Sequence, residues 1–233
     1  MPADDARDSL SRRERLRRQT ADEIKQRAFD LVDTDGAHDV TIASVGKGMG
    51  MTPPALYRYF PSREALLSAL VVDAYADLGS TVADAVERAS GDEPGTRVRV
   101  ALTTYRAWAL AHPRRYTMLF SDRSRDVPDL PAGVAAINVG MLPVLTALGE
   151  IAASSGRADP PADEALSRWA QAVGAPADLA PVALRLAVLA WSRVHGLVSL
   201  EITGALAAMG LDADLLMEAE VEGVVVAADA QAR

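Results

Sequence analysis

The sequence predicts an all-α fold: a small N-terminal three-helix head followed by a larger helical bundle. Three observations carry this. Apolar residues recur three and four positions apart along most of the chain, and no segment alternates with the period of two that a strand requires. Of the 233 residues, 49% are apolar but only 5% aromatic, a balance that favours closely packed helices over sheet. Glycine and proline clusters such as GDEPG (91–95) and GAP (174–176) fall between the periodic segments and punctuate them.

The elements follow in order. Residues 1–18 read as a disordered basic arm holding Arg12, Arg13, Arg15, Arg17 and Arg18. A first helix runs from about Thr20 to Asp33, with Ile24, Ala28, Leu31 and Val32 as its apolar face. Residues 41–59 carry a helix-turn-helix pattern. Thr41 caps the first short helix, Val45 and Met49 share its inner face, and Gly50 stands where the backbone turns and φ > 0 is cheap only for glycine. Thr52 caps the second, where Pro53 and Pro54 occupy first-turn positions whose N–H groups have no intrahelical partner. Ser62 caps a longer helix that fades near Ser90 and carries Leu66, Leu70, Ala74 and Leu78 four apart.

Beyond GDEPG, Val98, Leu102, Tyr105 and Ala109 form a helical stripe that His112-Pro113 stops. Arg114 to Phe120 is a short helix and Ser121 to Pro131 a polar loop. Gly133 to Ala153 is a helix kinked at Pro143. After the loop SSGRADPP (154–161) come helices over Ala162 to Val173, over 178–203, and from Asp212 to about Ala228. The 178–203 helix is apolar nearly all round. It must therefore be buried on several sides, the second side by another subunit. Within it Glu201 is placed to pair with Arg193.

Charge and composition bound the function. Net charge is −8. Residues 12–63 nevertheless hold ten Lys/Arg against seven Asp/Glu, so positive charge gathers beside the helix-turn-helix. An arginine-rich arm there suits phosphates or a minor groove. There is no cysteine, which excludes disulfides and thiolate metal sites. The three histidines are far apart, and no HExxH, GxSxG or phosphate-loop pattern occurs, so neither an enzyme nor a metal or cofactor site is expected. The first residues lack the apolar core of a signal peptide. The most apolar run, Val182 to Leu200, contains two arginines, which reads against a membrane span. A soluble cytoplasmic protein is the simplest expectation.

Thr41, Val45, Gly50, Met51, then Leu56, Tyr57 and Phe60, then Ser62-Arg63-Glu64-Ala65-Leu66-Leu67 fall in the order and spacing of one family. The chain from Ala28 to Ala69 resembles the TetR/AcrR family of transcriptional regulators. AWSRVHGLVSLE (190–201), with Trp191, His195 and Gly196, and YRAWALAHPRRYTMLF (105–120) resemble the WHG type of TetR C-terminal domain. Gly46 and Gly48 depart from the family pattern. Each costs about 0.5–1 kcal/mol relative to alanine inside a helix, which predicts a soft first helix.

The resemblance implies a helix-turn-helix domain over 19–65 and a ligand-binding and dimerisation domain over 66–233. It puts Thr52, Pro53, Ala55 and Tyr57 near base edges, and Thr41, Lys47, Tyr59 and Arg63 near phosphates, beside the arm residues Arg12, Arg13, Arg17 and Arg18. Pro53, Pro54 and Ala55 offer only apolar contacts, so DNA shape and the arm would share in specificity. For a small molecule the candidates are Tyr105, Trp108, Tyr116, Met118, Phe120, Met141, Trp191 and His195. The expected protein is a homodimeric, ligand-responsive transcriptional regulator. It is read as a repressor that a hydrophobic or aromatic effector releases from a palindromic double-stranded DNA operator. The alternative is a helical small-molecule carrier that has lost specific DNA binding.

Overall fold

The computed structural model describes residues 12–120, 131–151 and 160–231. Among these residues the chain is helical with no strand. Its elements are α1 (Arg12–Asp35), a 3-10 turn (Ala37–Asp39), α2 (Ile42–Met49), α3 (Pro53–Tyr57), α4 (Arg63–Arg88), α5 (Pro94–Ala111) and α6 (Pro113–Phe120). They continue as α7 (Pro131–Ile151), α8 (Pro160–Ala172), α9 (Pro181–Ile202), α10 (Ala205–Ala208) and α11 (Ala213–Gln231). Two compact units result. The first holds the described residues up to Val71 and from Arg114 to Phe120; the second holds the rest.

In the first unit α1 buries Ile24, Ala28, Phe29 and Val32. Leu31, expected on that face, is half-buried beside it. The helix begins well before Thr20. Residues 12–18, expected as part of a disordered arm, form its first turns, because RRERLRRQ is made of good helix formers. Thr20 Oγ1 also donates to the Leu16 carbonyl (3.0 Å). The rest of the expected arm, residues 1–11, lies outside the described residues, as do most of the expected loops at 121–131 and 154–161.

The first unit also contains α6, which the expected boundaries of 19–65 and 66–233 assigned to the second. The Arg115 guanidinium donates from Nε and Nη2 to the Asp33 carboxylate (2.9 and 2.6 Å) and lies 4.4 Å over the Phe29 ring. Tyr116, Met118 and Leu119 are buried. An apolar stripe on a short helix says that it packs, not against which neighbour.

In the second unit α5 packs on α7, α9 and α11, and α9 packs on α7, α8, α10 and α11 as well. Arg106 ties three of these helices together. It donates from Nε and Nη2 to Glu201 (2.7 and 2.6 Å), and Nη2 also lies 2.6 Å from Asp214. Those carboxylates hold its guanidinium well above its usual pKa. Glu201 is thereby engaged with Arg106 and not with Arg193, which pairs with Glu220 at 3.4 Å. Helix α7 continues through Pro143. Helices α4 and α7 meet backbone to backbone. A Cβ on Gly79 would overlap the Ala136 carbonyl oxygen, and one on Gly140 would fall 2.8 Å from the Gly79 carbonyl oxygen. Asp212 caps α11, accepting from the Asp214 N–H at 2.9 Å. The 3-10 turn and α10 are too short to leave a periodic signal.

By length and hydropathy alone α4, α7 and α9 could each cross a membrane. Helix α9 instead buries Val182, Ala183, Leu184, Ala187, Ala190, Val194 and Val198 against its neighbours.

Candidate functional site

The first unit builds a helix-turn-helix from local chemistry. Thr41 Oγ1 accepts from the Ser44 N–H (3.0 Å) and Ser44 Oγ from the Thr41 N–H (2.9 Å), a reciprocal cap on α2. At the other end Gly50 adopts φ 64°, and the Met51 N–H reaches the Gly46 carbonyl at 2.9 Å. Gly46 has a packing role that the sequence reading missed. A Cβ there would sit 2.8 Å from the Met51 oxygen and 2.9 Å from Leu56 Cδ1. The glycine lets α2 close onto the turn and α3. At Gly48 the Arg27 side chain covers the helix where a Cβ would stand.

Helix α3 differs from expectation at its cap. Thr52 occupies the N-cap position, but its side chain makes no capping bond. The two prolines bring no N–H, and the Ala55 N–H goes to the Thr52 carbonyl (2.9 Å). The hydroxyl stays on the exposed face with Pro53, Pro54 and Tyr57, whose side chain is 51% exposed. Ala55 and Tyr59 are half-buried, and Leu56 fills the core. Lys47, Arg12, Arg13, Arg17 and Arg18 are exposed. So is Arg58, a cation at the C-terminus of α3 to which the sequence reading assigned no role. Arg17 Nη2 donates to the Arg58 carbonyl (3.2 Å), which ties the start of α1 to the end of α3.

Arg63 is turned inward. Its Nε donates to the Val40 carbonyl (2.6 Å), and Nη2 to those of Ala37 (2.9 Å) and His38 (3.0 Å). Its fork holds the 3-10 turn, a task no spacing rule would reveal. Ser62 caps α4 through the Ala65 N–H at 3.1 Å. Glu64, in the same first turn, is held below the usual carboxylate range by its own backbone N–H and then by the Ser62 hydroxyl.

The second unit holds a partly open cavity of about 610 Å³. Helix α4 lines it with Leu78, Gly79 and Val82, and α5 with Ala101, Leu102 and Tyr105. Val134, Ile137, Met141 and Val144 come from α7, Leu166 and Trp169 from α8, and Val188, Trp191 and Val194 from α9. Of the sequence candidates, Tyr105, Met141 and Trp191 are brought together here. Trp108 and His195 stand outside the lining. Trp108 Nε1 donates to Asp77 Oδ2 (2.8 Å), and its ring lies 5.2 Å from that of His112. His195 stacks on Trp191 (5.1 Å between ring centroids) and shares a 2.9 Å hydrogen bond between Nδ1 and the Tyr105 hydroxyl. Burial pushes its imidazole pKa down, so it is a neutral partner. Tyr116, Met118 and Phe120 belong to the first unit and line no part of this cavity. Trp169 was missed, although Leu166, Trp169 and Ala170 share one apolar face of α8 at helical spacing.

A helix-turn-helix head, followed along the chain by an all-helical unit with an apolar cavity, defines a DNA-binding regulator of the helical class. The comparisons name the family. Residues 24–70 match the model of bacterial regulatory proteins of the tetR family, and residues 98–224 that of the tetracyclin repressor-like C-terminal domain. The chain belongs to the TetR family of transcriptional regulators. It is 32% identical over 176 residues to the HTH-type transcriptional regulator Rv1816 of Mycobacterium tuberculosis, covering 72% of this chain and 74% of that one. The match to regulator Mb1846 of Mycobacterium bovis has the same identity and extent. A crystal structure described as the regulatory protein SCO4313 is 33% identical with a TM-score of 0.73, covering 92% of this chain and 99% of that one. A protein of unknown function from Rhodococcus sp. RHA1 shares the fold at 22% identity, with a TM-score of 0.64 and coverage of 95% and 97%.

Proposed function

We propose that this regulator is a cytoplasmic homodimer that represses transcription and is released from a palindromic operator by an apolar small molecule. The observation that carries the ligand response is the cavity of about 610 Å³, within the range of sites that bury a drug-sized molecule. On the DNA side, Thr52, Pro53, Ala55 and Tyr57 meet base edges. Lys47 and Arg58, with the arm residues Arg12, Arg13, Arg17 and Arg18, meet phosphates. Thr41 and Tyr59 lie towards phosphates beside them, and Arg63 acts by fixing the turn behind the two helices.

Dimerisation is supported by apolar residues that α9 and α11 leave exposed, including Leu189, Leu200, Leu215 and Val226. Gly196 and Gly223 add to this. A Cβ at either would meet nothing within 4 Å among the described residues, so none of these gives either glycine a packing reason. In the dimer the two recognition helices stand about one DNA turn apart, roughly 34–36 Å. Helix α4 carries Leu66 and Leu70 in the head and Leu78, Gly79 and Val82 in the cavity wall, so cavity filling acts on the head through it. The effector favours the conformation with lower DNA affinity and shifts the population towards it.

The test is selection from fragments of the host genome, followed by fluorescence anisotropy with the enriched duplex and a scrambled one at two salt concentrations. Tight, selective and salt-weakened binding supports the reading. Failure to enrich any sequence, with equal weak binding to both duplexes, favours a carrier protein instead.

A further inference from the structure

The cavity's lining is short of charge in a way that constrains its occupant. None of the described residues that line it is acidic, basic or a histidine. The helices around it have no cation to spare. Every arginine on α5, α8 and α9 is already ion-paired. Arg97 pairs with Glu150, Arg99 with Glu222 and Arg106 with Glu201. Arg168 pairs with Glu164, Arg185 with Asp163 and Arg193 with Glu220. Helix α7 has no basic residue, and in the second unit α4 has only Arg88, at its last position. A carboxylate or phosphate inside this cavity would lose its water and gain no counter-charge from the described lining residues.

Apart from the weakly accepting Met141 thioether, the polar side-chain groups of the lining residues are two indole N–H groups and one phenolic hydroxyl. Two of the three tryptophans, Trp169 and Trp191, line the cavity, and neither indole N–H makes a hydrogen bond among the described residues. The third, Trp108, does not line it, and its N–H is taken by Asp77. An indole nitrogen can only donate. The hydroxyl of Tyr105 completes the polar set, backed by His195 at 2.9 Å.

We propose that the cavity selects an uncharged, mainly apolar molecule whose polar atoms are hydrogen-bond acceptors, a carbonyl oxygen of the ketone, ester or lactone class. Trp169 and Trp191 are the residues that set this preference. The inference rests on the ligand-binding reading above and adds the chemistry of the occupant.

The test uses the full-length protein at pH 7.5 and a neutral apolar fluorophore, N-phenyl-1-naphthylamine, as the reporter of an occupied cavity. Three competitors share one skeleton: octylbenzene, octanophenone and 4-octylbenzoate. Octanophenone is expected to displace the dye at a concentration at least about 100-fold lower than the benzoate, the scale set by an unpaired buried charge. It should act at about threefold to tenfold lower concentration than octylbenzene, the scale of a single hydrogen bond. Trp169→Phe and Trp191→Phe keep an apolar wall but remove an N–H. Each should reduce the advantage of the ketone over octylbenzene, the two being compared within the same variant. Dye binding with equal competition from the benzoate overturns the charge selection. Dye binding with no gain of ketone over hydrocarbon, or a gain that survives both variants, overturns the acceptor preference. If the dye does not bind at all, the ligand-binding reading falls, and this inference with it.

Discussion

Replacing Gly46 by alanine sets two opposed effects against each other inside α2. Helix propensity favours the alanine by about 0.5–1 kcal/mol. Packing opposes it, because the added methyl would stand 2.8 Å from the Met51 carbonyl oxygen and 2.9 Å from Leu56 Cδ1. The first neighbour is backbone of the helix-turn-helix turn, and the second is a side chain with no solvent exposure. Neither can give way without moving α3. Overpacking of this kind costs about 1–3 kcal/mol. The net expectation is destabilisation of up to about 2.5 kcal/mol and centred near about 1 kcal/mol, a loss of several degrees in the melting of a domain this small. The assay is thermal unfolding followed by a probe local to the head, paired with DNA affinity. Displacement of α3 should also weaken selective binding more than binding to scrambled duplex. A Gly46→Ala protein as stable as its parent, with unchanged selectivity, would refute the packing account. Gly46 would then be a tolerated imperfection in a soft helix.

Four further outcomes follow from the same geometry. Arg63→Lys replaces a fork that meets three carbonyls by a point charge, and should destabilise the head by about 1–3 kcal/mol in denaturant unfolding. Arg17→Ala should weaken binding to all duplexes alike and lower the salt slope by about one. An unchanged slope would instead assign Arg17 to positioning α3 through the Arg58 carbonyl. Because burial depresses the His195 pKa, the unfolded chain takes up a proton near 6.5 while the folded chain does not. His195 therefore contributes stability that is present above about pH 6.5 and lost as pH falls through its lower folded value. His195→Asn should flatten that part of the stability–pH curve, measured as the difference from the parent between pH 7.5 and 5. Gly196→Ala should raise the dimer dissociation constant in sedimentation experiments, whereas a glycine facing solvent would give about 0.5–1 kcal/mol of added stability and no change in assembly.

The head was legible wherever local backbone chemistry dictates structure. Thr41, Gly50 and Ser62 act through caps and a left-handed turn that depend on neighbours a few residues away, and such signals lie in plain view. What depends on distant neighbours was not legible. Gly46 reads as a helix defect until Met51 and Leu56 are seen above it. Arg63, in a DNA-contact position by resemblance, folds onto carbonyls 23–26 residues earlier. Tyr116, Met118 and Phe120 carry the same apolar signature as Tyr105 and Trp191. Which unit a stripe joins is decided by contacts such as Arg115 with Asp33, 82 residues apart. Trp169 lies outside the segments 105–120 and 190–201, which supplied every ligand candidate except Met141.

The return of α6 to the first unit bears on how this protein could be cut and recombined. The head is not one contiguous stretch. Residues from Arg114 onward supply a buried face and the guanidinium that covers Phe29. A fragment ending near Val71 would leave Phe29 uncovered and Asp33 without its arginine. A chimera that grafts this head onto another effector domain must therefore carry two separated inserts, and one that swaps only the N-terminal segment inherits a foreign α6. The segments that build the two units are thus interleaved along the chain, and recombination at a single crossover cannot exchange one unit intact while preserving the other.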